Sequence, residues 1–389
     1  MVSSSHGRLG ELDALRGLAA LTVILGHFSA ANIDETKIWH GPKTGLLLFI
    51  LRRPFTAGHT AVLLFFILSG LVLALPSVNQ KQQNYGVFIT RRVFRLYVPY
   101  LAALALAVLG NLCWHGSLGL TPWANQTWYY PVRLHAVLEH VLFLGQYNVS
   151  QFNTAFWSLV IEMRISILFP LLCLIVLRIN SWVSIVSIAV ISIAVSYFET
   201  LTGLNALEMN CYYLGFFVAG ILLAQHKELL VSWVFRLSKR VALVYLGVAL
   251  FLYWYGTPAA MLATKYGLKV TNVKLIGYNW VSGVGALMLI ILGLGFSPFS
   301  KLLLSKIPQF LGRISYSIYL IHGTVLFALL YLLSKSAPPI LILLIYIPTV
   351  LLGSVLMYRF VEKPAMSFSH RITSSARRPY TYSPWIHPA

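Results

Sequence analysis

The chain has 389 residues, of which 58% are hydrophobic and only 10% charged. A soluble domain of this length needs a solvated surface and cannot carry that composition, so the chain reads as a polytopic membrane protein with one membrane domain and no separate soluble core. A formal net charge of +19 would suggest nucleic acid in a soluble protein, but here the basic residues collect in alternate loops, so nucleic acid is not expected as a partner.

Ten hydrophobic stretches follow along the chain, near 12–31, 60–77, 93–113, 156–178, 182–198, 211–224, 240–256, 274–295, 314–333 and 339–361. Several approach the ~20 residues needed to cross a bilayer, and the sixth is short, which calls for a tilt or an extension at its ends. With the N-terminus in the cytoplasm, 19 of the 29 basic residues fall inside, nine fall outside, and Arg164 lies within a span. The positive-inside rule then puts both termini in the cytoplasm. The predicted fold is all-α, a transmembrane helix bundle of about ten spans over residues 1–365. A polar tail, 366–389, is expected to be disordered. Leu134–Gly145 is apolar but short and carries Glu139 and His140. It reads as an interfacial or re-entrant helix on the outer face, because counting it as a span would invert every later loop. The outer segment 114–155 also holds Trp114, Trp123, Trp128, Tyr129 and Tyr130, suiting an aromatic belt or a sugar-binding surface. Cys113, Cys173 and Cys211 lie singly in apolar stretches. They offer neither metal spacing nor a disulfide framework, and no metal is expected.

Arg16 and His27 stand eleven positions apart in the first span. Eleven steps of 100° return to within about 20° of the start, so both side chains share one helix face, roughly 16 Å apart along the axis. Ionisable groups inside a span are costly and tend to mark function. Near the outer end, His27 can take a proton from a hydroxyl at neutral pH, or it can simply hydrogen-bond across helices. Near the inner end, Arg16 can bind phosphate through its guanidinium fork, or anchor the span at the headgroups beside Asp13. Arg91, Arg92 and Arg95 open the third span. Arg92 and Arg95 share a face, and with Arg16 they make a cationic mouth for a phosphate-rich ligand, unless they only anchor the membrane. Glu162 lies six residues into the fourth span, which runs inward, and so is expected at the depth of His27. There it would orient His27 and stabilise its protonated form, act as a base itself, or pair with Arg164. For His59, for Ser69-Gly70 and for the stripe Ser315, Tyr316, Ser317, Tyr319 and His322 on the ninth span, interhelical hydrogen bonding and close packing are the simplest reading. Glu362 most simply pairs with Arg359 or Lys363.

Six stretches in order complete the pattern: LDALRGLAALTVILGHF (Leu12–Phe28), FFILSG (Phe65–Gly70), RRVFRLYVPY (Arg91–Tyr100), FWSLVIE (Phe156–Glu162), LGRISYSIYLIH (Leu311–His322) and RFVEKP (Arg359–Pro364). Together they resemble the membrane acyltransferase 3 family over nearly the whole chain. The resemblance implies an integral membrane enzyme of the inner (plasma) membrane, surrounded by lipid. Such an enzyme moves an acyl group, usually acetyl, from cytoplasmic acetyl-CoA or another acyl-CoA to a hydroxyl of an extracytoplasmic carbohydrate or glycoconjugate. It further implies His27 as the catalytic histidine with Glu162 beside it, and Arg16, Arg92 and Arg95 as contacts of the CoA phosphates. Trp157, Ser158 and His322 are assigned to substrate binding. A homo-oligomer is compatible with all of this. The chain departs from the family pattern at Leu63, where an aspartate is common, and at Met163 and Arg164, which replace a second glutamate and a glutamine. A transporter or flippase for an anionic or lipid-linked sugar would use the same cationic mouth with His and Glu as a relay.

Overall fold

The computed structural model describes residues 9–32, 43–80, 84–143, 147–202, 206–265 and 274–374. Among them all regular structure is helical. In chain order the helices are α1 (Gly10–Asn32), α2 (Lys43–Thr56), α3 (Gly58–Val78), α4 (Tyr85–Cys113), α5 (Leu134–Leu142), α6 (Phe156–Arg178), α7 (Ser181–Thr202) and α8 (Ala206–Arg236). Then come α9 (Lys239–Lys265), α10 (Lys274–Gly295), α11 (Ser297–Leu303), α12 (Lys306–Arg313), α13 (Ser315–Leu333), α14 (Pro339–Met357) and α15 (Lys363–Ser374), with a π-turn over Tyr358–Glu362 before the last.

A helix stands at each of the ten predicted places. Among the described residues seven helices are long and apolar enough to cross a membrane by themselves, or eight if Asn279–Gly295 and Ser297–Leu303, bent by 95°, count as one span. Two boundaries differ from the expectation in ways that matter. The sixth stretch is extended at its ends: α8 has 31 residues, about 46 Å, because good helix formers such as Gln225, Lys227 and Glu228 continue the helix past its apolar part. α4 starts at Tyr85, where the Asn84 side chain accepts from the backbone N–H groups of Gly86 (2.8 Å) and Val87 (3.3 Å). This cap carries Arg91, Arg92 and Arg95 onto a fixed helix surface. The expected disorder from residue 366 fails as far as Ser374, since α15 runs through it and Arg91 Nε donates to Thr373 Oγ1 at 3.0 Å. Residues 375–389 lie outside the described residues. The nine residues of α5 reach about 13 Å and cannot cross. Its C-terminus closes on Phe143 at φ 56°, whose carbonyl accepts from Arg164 Nε (3.1 Å) and Nη2 (2.8 Å). Arg164 therefore serves as a helix cap rather than as a partner of Glu162.

Small residues let the spans that build the centre touch backbone to backbone. A Cβ on Gly70 of α3 would overlap the Phe217 carbonyl of α8, and one on Gly220 would overlap the Ile67 carbonyl. Likewise Gly17 of α1 meets the Leu311–Gly312 backbone, and Gly312 meets the Asp13 carbonyl. The second contact draws the start of α13 against the turn of α1 that carries Arg16. Gln309 Nε2 donates to the Gly10 carbonyl at 2.8 Å, which ties the start of α1 to α12, and the bond from Arg91 to Thr373 ties α15 to the arginine-bearing turn of α4.

At the opposite end, the segment between α4 and α6 folds down onto the bundle. Thr121 Oγ1 donates to the Ala30 carbonyl (2.6 Å), Trp128 Nε1 to that of Phe152 (2.9 Å), and Asn153 Nδ2 to that of Leu320 (2.9 Å). The five aromatic residues of this segment do not form one surface. Trp128 is fully buried against Phe327 and Tyr331, while Tyr130 is exposed.

Candidate active site

α1, α3, α4, α6 and α13 line a narrow cavity of about 80 Å³. Its charge comes from Arg16, Arg92 and Arg95, opposed by Glu162. Arg92 Nη2 lies 2.7 Å from Glu162 Oε1, and the same oxygen accepts from Ser69 Oγ at 2.8 Å. Arg92 Nε donates to Ser166 Oγ at 2.9 Å, and that hydroxyl donates on to the Glu162 carbonyl at 2.6 Å. The buried ion pair is thus supported by two serine hydroxyls, the kind of added hydrogen bonding such a pair needs to be tolerated. Arg16 is held more loosely. Its Nη1 is 3.5 Å from Asp13 Oδ1, and its Nη2 reaches the Leu68 carbonyl at 3.5 Å. Arg95 is exposed. The capacity for an incoming anion therefore rests on Arg16 and Arg95, while Arg92 is already engaged by Glu162. Arg91 turns away, toward α15.

The far wall of the cavity is Tyr319, whose hydroxyl lies 2.6 Å from Ser158 Oγ and whose ring is 5.7 Å from that of His322. His322 follows three residues later, about 4.5 Å along α13. Its Nε2 is 2.9 Å from His27 Nδ1, and its Nδ1 is 3.1 Å from the Ile318 carbonyl. His27 Nδ1 is also 3.0 Å from Thr154 Oγ1. The Trp123 ring stands 5.0 Å from the His27 ring. His322 is fully buried and His27 half-buried. The expected shared face of α1 is thus realised, with Arg16 in the cavity and His27 beyond its far wall.

Three expected placements need correction. Glu162 makes no hydrogen bond to His27. α6 approaches through Thr154 at the level of His27, so Glu162, eight residues further on, lies about 12 Å deeper, at the level of the arginines. The comparison of depths failed although both boundaries held: α1 ends at Asn32 and α6 begins at Phe156, but the two ends are staggered, and His27 meets Thr154, which lies before α6 begins. His322 does not line the cavity: it is fully buried, with Nδ1 at the Ile318 carbonyl and Nε2 at His27 Nδ1. Trp157 belongs to another group. Its ring stacks 6.0 Å from that of His59 and 5.4 Å from Tyr213, and His59 Nε2 is 3.0 Å from Asn279 Oδ1. Ser158 does line the cavity. Glu362 is buried and accepts from Ser317 Oγ at 2.6 Å, tying the π-turn to α13. Sequence reasoning missed Thr154, whose only signal was its position two residues before the Phe156–Glu162 stretch. It also left Trp123 among the interfacial aromatics. Among the described residues no group of three His, Cys, Asp or Glu side chains could hold a metal.

A family model described as an acyltransferase domain matches residues 9–359. No curated protein and no solved structure matches the chain.

Proposed function

We propose a reaction from the premise that the chain belongs to the membrane acyltransferase 3 family. It is a multi-pass membrane acyltransferase. The donor is an acyl-CoA, acetyl-CoA first, held from the cytoplasmic side with its phosphates on Arg16 and Arg95. Arg92, fixed by Glu162, completes the positive lining. The pantetheine arm follows the face of α1 toward Tyr319. The ~16 Å between Arg16 and His27 is comparable to the length of that arm. His27 takes the proton from an acceptor hydroxyl. The oxygen forms a bond to the thioester carbonyl carbon, the carbon–sulfur bond breaks, and the imidazolium returns its proton to the leaving thiolate. The acceptor is a hydroxyl of a carbohydrate on the extracytoplasmic side of the inner (plasma) membrane.

One observation carries this reading. A cavity lined by three arginines ends at Tyr319, whose ring is in contact range of the His322–His27 pair. A phosphate-bearing ligand seated there has its far end at Tyr319, one side chain away from the histidine pair. The test is purified protein in liposomes with acetyl-CoA labelled in the acetyl group. The label should leave CoA at a rate that falls 10²- to 10⁴-fold in His27→Ala, with acetyl-CoA still bound. A folded His27→Ala protein that transfers at the normal rate would remove His27 from the mechanism.

A further inference from the structure

The hydrogen-bond chain from Ile318 to His27 admits one consistent placement of protons. The Ile318 carbonyl can only accept, so the His322 nitrogen 3.1 Å from it, Nδ1, must carry a hydrogen. His322 is fully buried, and among the described residues no carboxylate hydrogen-bonds to either ring of the pair. A charged imidazole there would be uncompensated, and the neutral ring is the form that the site holds. A neutral His322 protonated at Nδ1 has a bare Nε2. The His27 atom 2.9 Å away, Nδ1, must then be the donor, and Thr154 Oγ1 at 3.0 Å takes a share of the same hydrogen. With the hydrogen of His27 fixed on Nδ1, its Nε2 is left with a free lone pair.

We propose that His322 is a positioning residue for the reaction: as a hydrogen-bond acceptor it holds His27 in the Nδ1–H tautomer, presents Nε2 as the base, and receives the strengthened Nδ1–H bond when His27 becomes imidazolium. The proposal rests on His27 acting as a base and adds what makes it one. A carboxylate in this position would place a fixed negative charge in the bundle. A second imidazole orients the first without one, and it is itself held by the main chain of its own helix. Tyr346 completes the support, its hydroxyl donating to the His322 carbonyl at 3.2 Å. No charge moves through His322 in the reaction: the proton that His27 Nε2 takes from the hydroxyl returns from Nε2 to the thiolate.

The test compares three substitutions at position 322 with His27→Ala in the same acetyl-transfer assay. In His322→Gln the carboxamide oxygen can reach the place of the ring Nε2 and accept from His27. In His322→Asn the shorter side chain reaches the Ile318 carbonyl but not His27, and His322→Leu offers no acceptor at all. The expected result is a kcat lowered about 100-fold in His322→Leu and His322→Asn, at least tenfold higher in His322→Gln than in His322→Asn, and a KM for acetyl-CoA within twofold of the parent throughout. If His322→Leu fails to fold, the ratio of Gln to Asn decides alone. Equal kcat in Gln and Asn, or parental kcat in Asn or Leu, overturns the assignment of His322. Activity retained in His27→Ala overturns instead the reading of His27 as base. An inactive His27→Ala beside a fully active His322→Asn removes only His322.

Discussion

At one end of the site, Arg92 and Glu162 lie 2.7 Å apart, with Ser69 and Ser166 hydrogen-bonded to them. At the other end, His27 and His322 meet nitrogen to nitrogen at 2.9 Å with no carboxylate on either ring. The first arrangement is an ion pair across α4 and α6, with Arg95 exposed beside it. The second is neutral, and a segment outside the spans supplies part of it through Thr154 and Trp123. Anion binding needs charges whose positions are fixed before the ligand arrives, and buried charges persist only with partners. Proton transfer needs a group that changes charge during the reaction, which a neutral ring with a free lone pair does. One bundle keeps the two kinds of site apart by one wall, Tyr319 with Ser158.

Removing Glu162 tests that division most severely. Glu162→Ala leaves the Arg92 guanidinium buried with its charge unpaired, and the expected loss of stability is about 3 kcal/mol, read as a lower midpoint of thermal unfolding in detergent. Glu162→Gln, which keeps an acceptor for Arg92 and Ser69, should lose less than half of that. If Glu162→Ala melts like the parent but loses kcat 100-fold, the carboxylate acts at the histidine end, and the two regions are not separate.

The arginines sharpen the comparison from the other side. Arg95 is exposed, so Arg95→Ala should leave the fold intact. One lost charge-assisted contact to phosphate should raise the KM for acetyl-CoA about tenfold, with kcat within twofold. The effect should shrink at high salt, where the exposed charge is screened in the parent as well. A drop in kcat with unchanged KM would move Arg95 out of the donor site.

How much of this was legible in the sequence depends on whether the signal was local. Hydrophobic runs placed a helix at all ten positions, and the spacing of Arg16 and His27 placed them on one face, because both follow from the 3.6-residue period of a single helix. Relations between helices were not available in the same way. The depth of Glu162 depended on how α1 and α6 are staggered against each other, which the ends of either helix, both within one residue of expectation where they approach, do not state. His322 was assigned to substrate binding and its contact with His27 was not foreseen, since nothing local says which helix its polar stripe faces. Arg164 looked like a partner for Glu162 because the two are close in sequence, but a helix C-terminus more than twenty residues away holds it. The disorder expected of the tail failed for a related reason. The composition of 363–374 is polar on average, while its periodicity is amphipathic, and Ala365, Ser369 and Thr373 form one buried face.

The smallest effect expected is also the one that asks how far the outer segment belongs to the site. Thr154 precedes α6 and brings its hydroxyl to 3.0 Å from His27 Nδ1, an atom already bonded to His322. A second acceptor on one hydrogen adds less than the first, so Thr154→Val should lower kcat only about threefold, the equivalent of a weak neutral hydrogen bond. Valine matches threonine in shape, and the neighbouring Asn153 contacts to Leu320 and Thr324 stay in place. The fold and the KM for acetyl-CoA should therefore not change. A loss as large as that of His322→Asn would mean that Thr154 and His322 hold the ring jointly, and that the segment before α6 is as much a part of the neutral site as α13. No loss at all would confine that site to the two histidines, with the segment acting only as a cover.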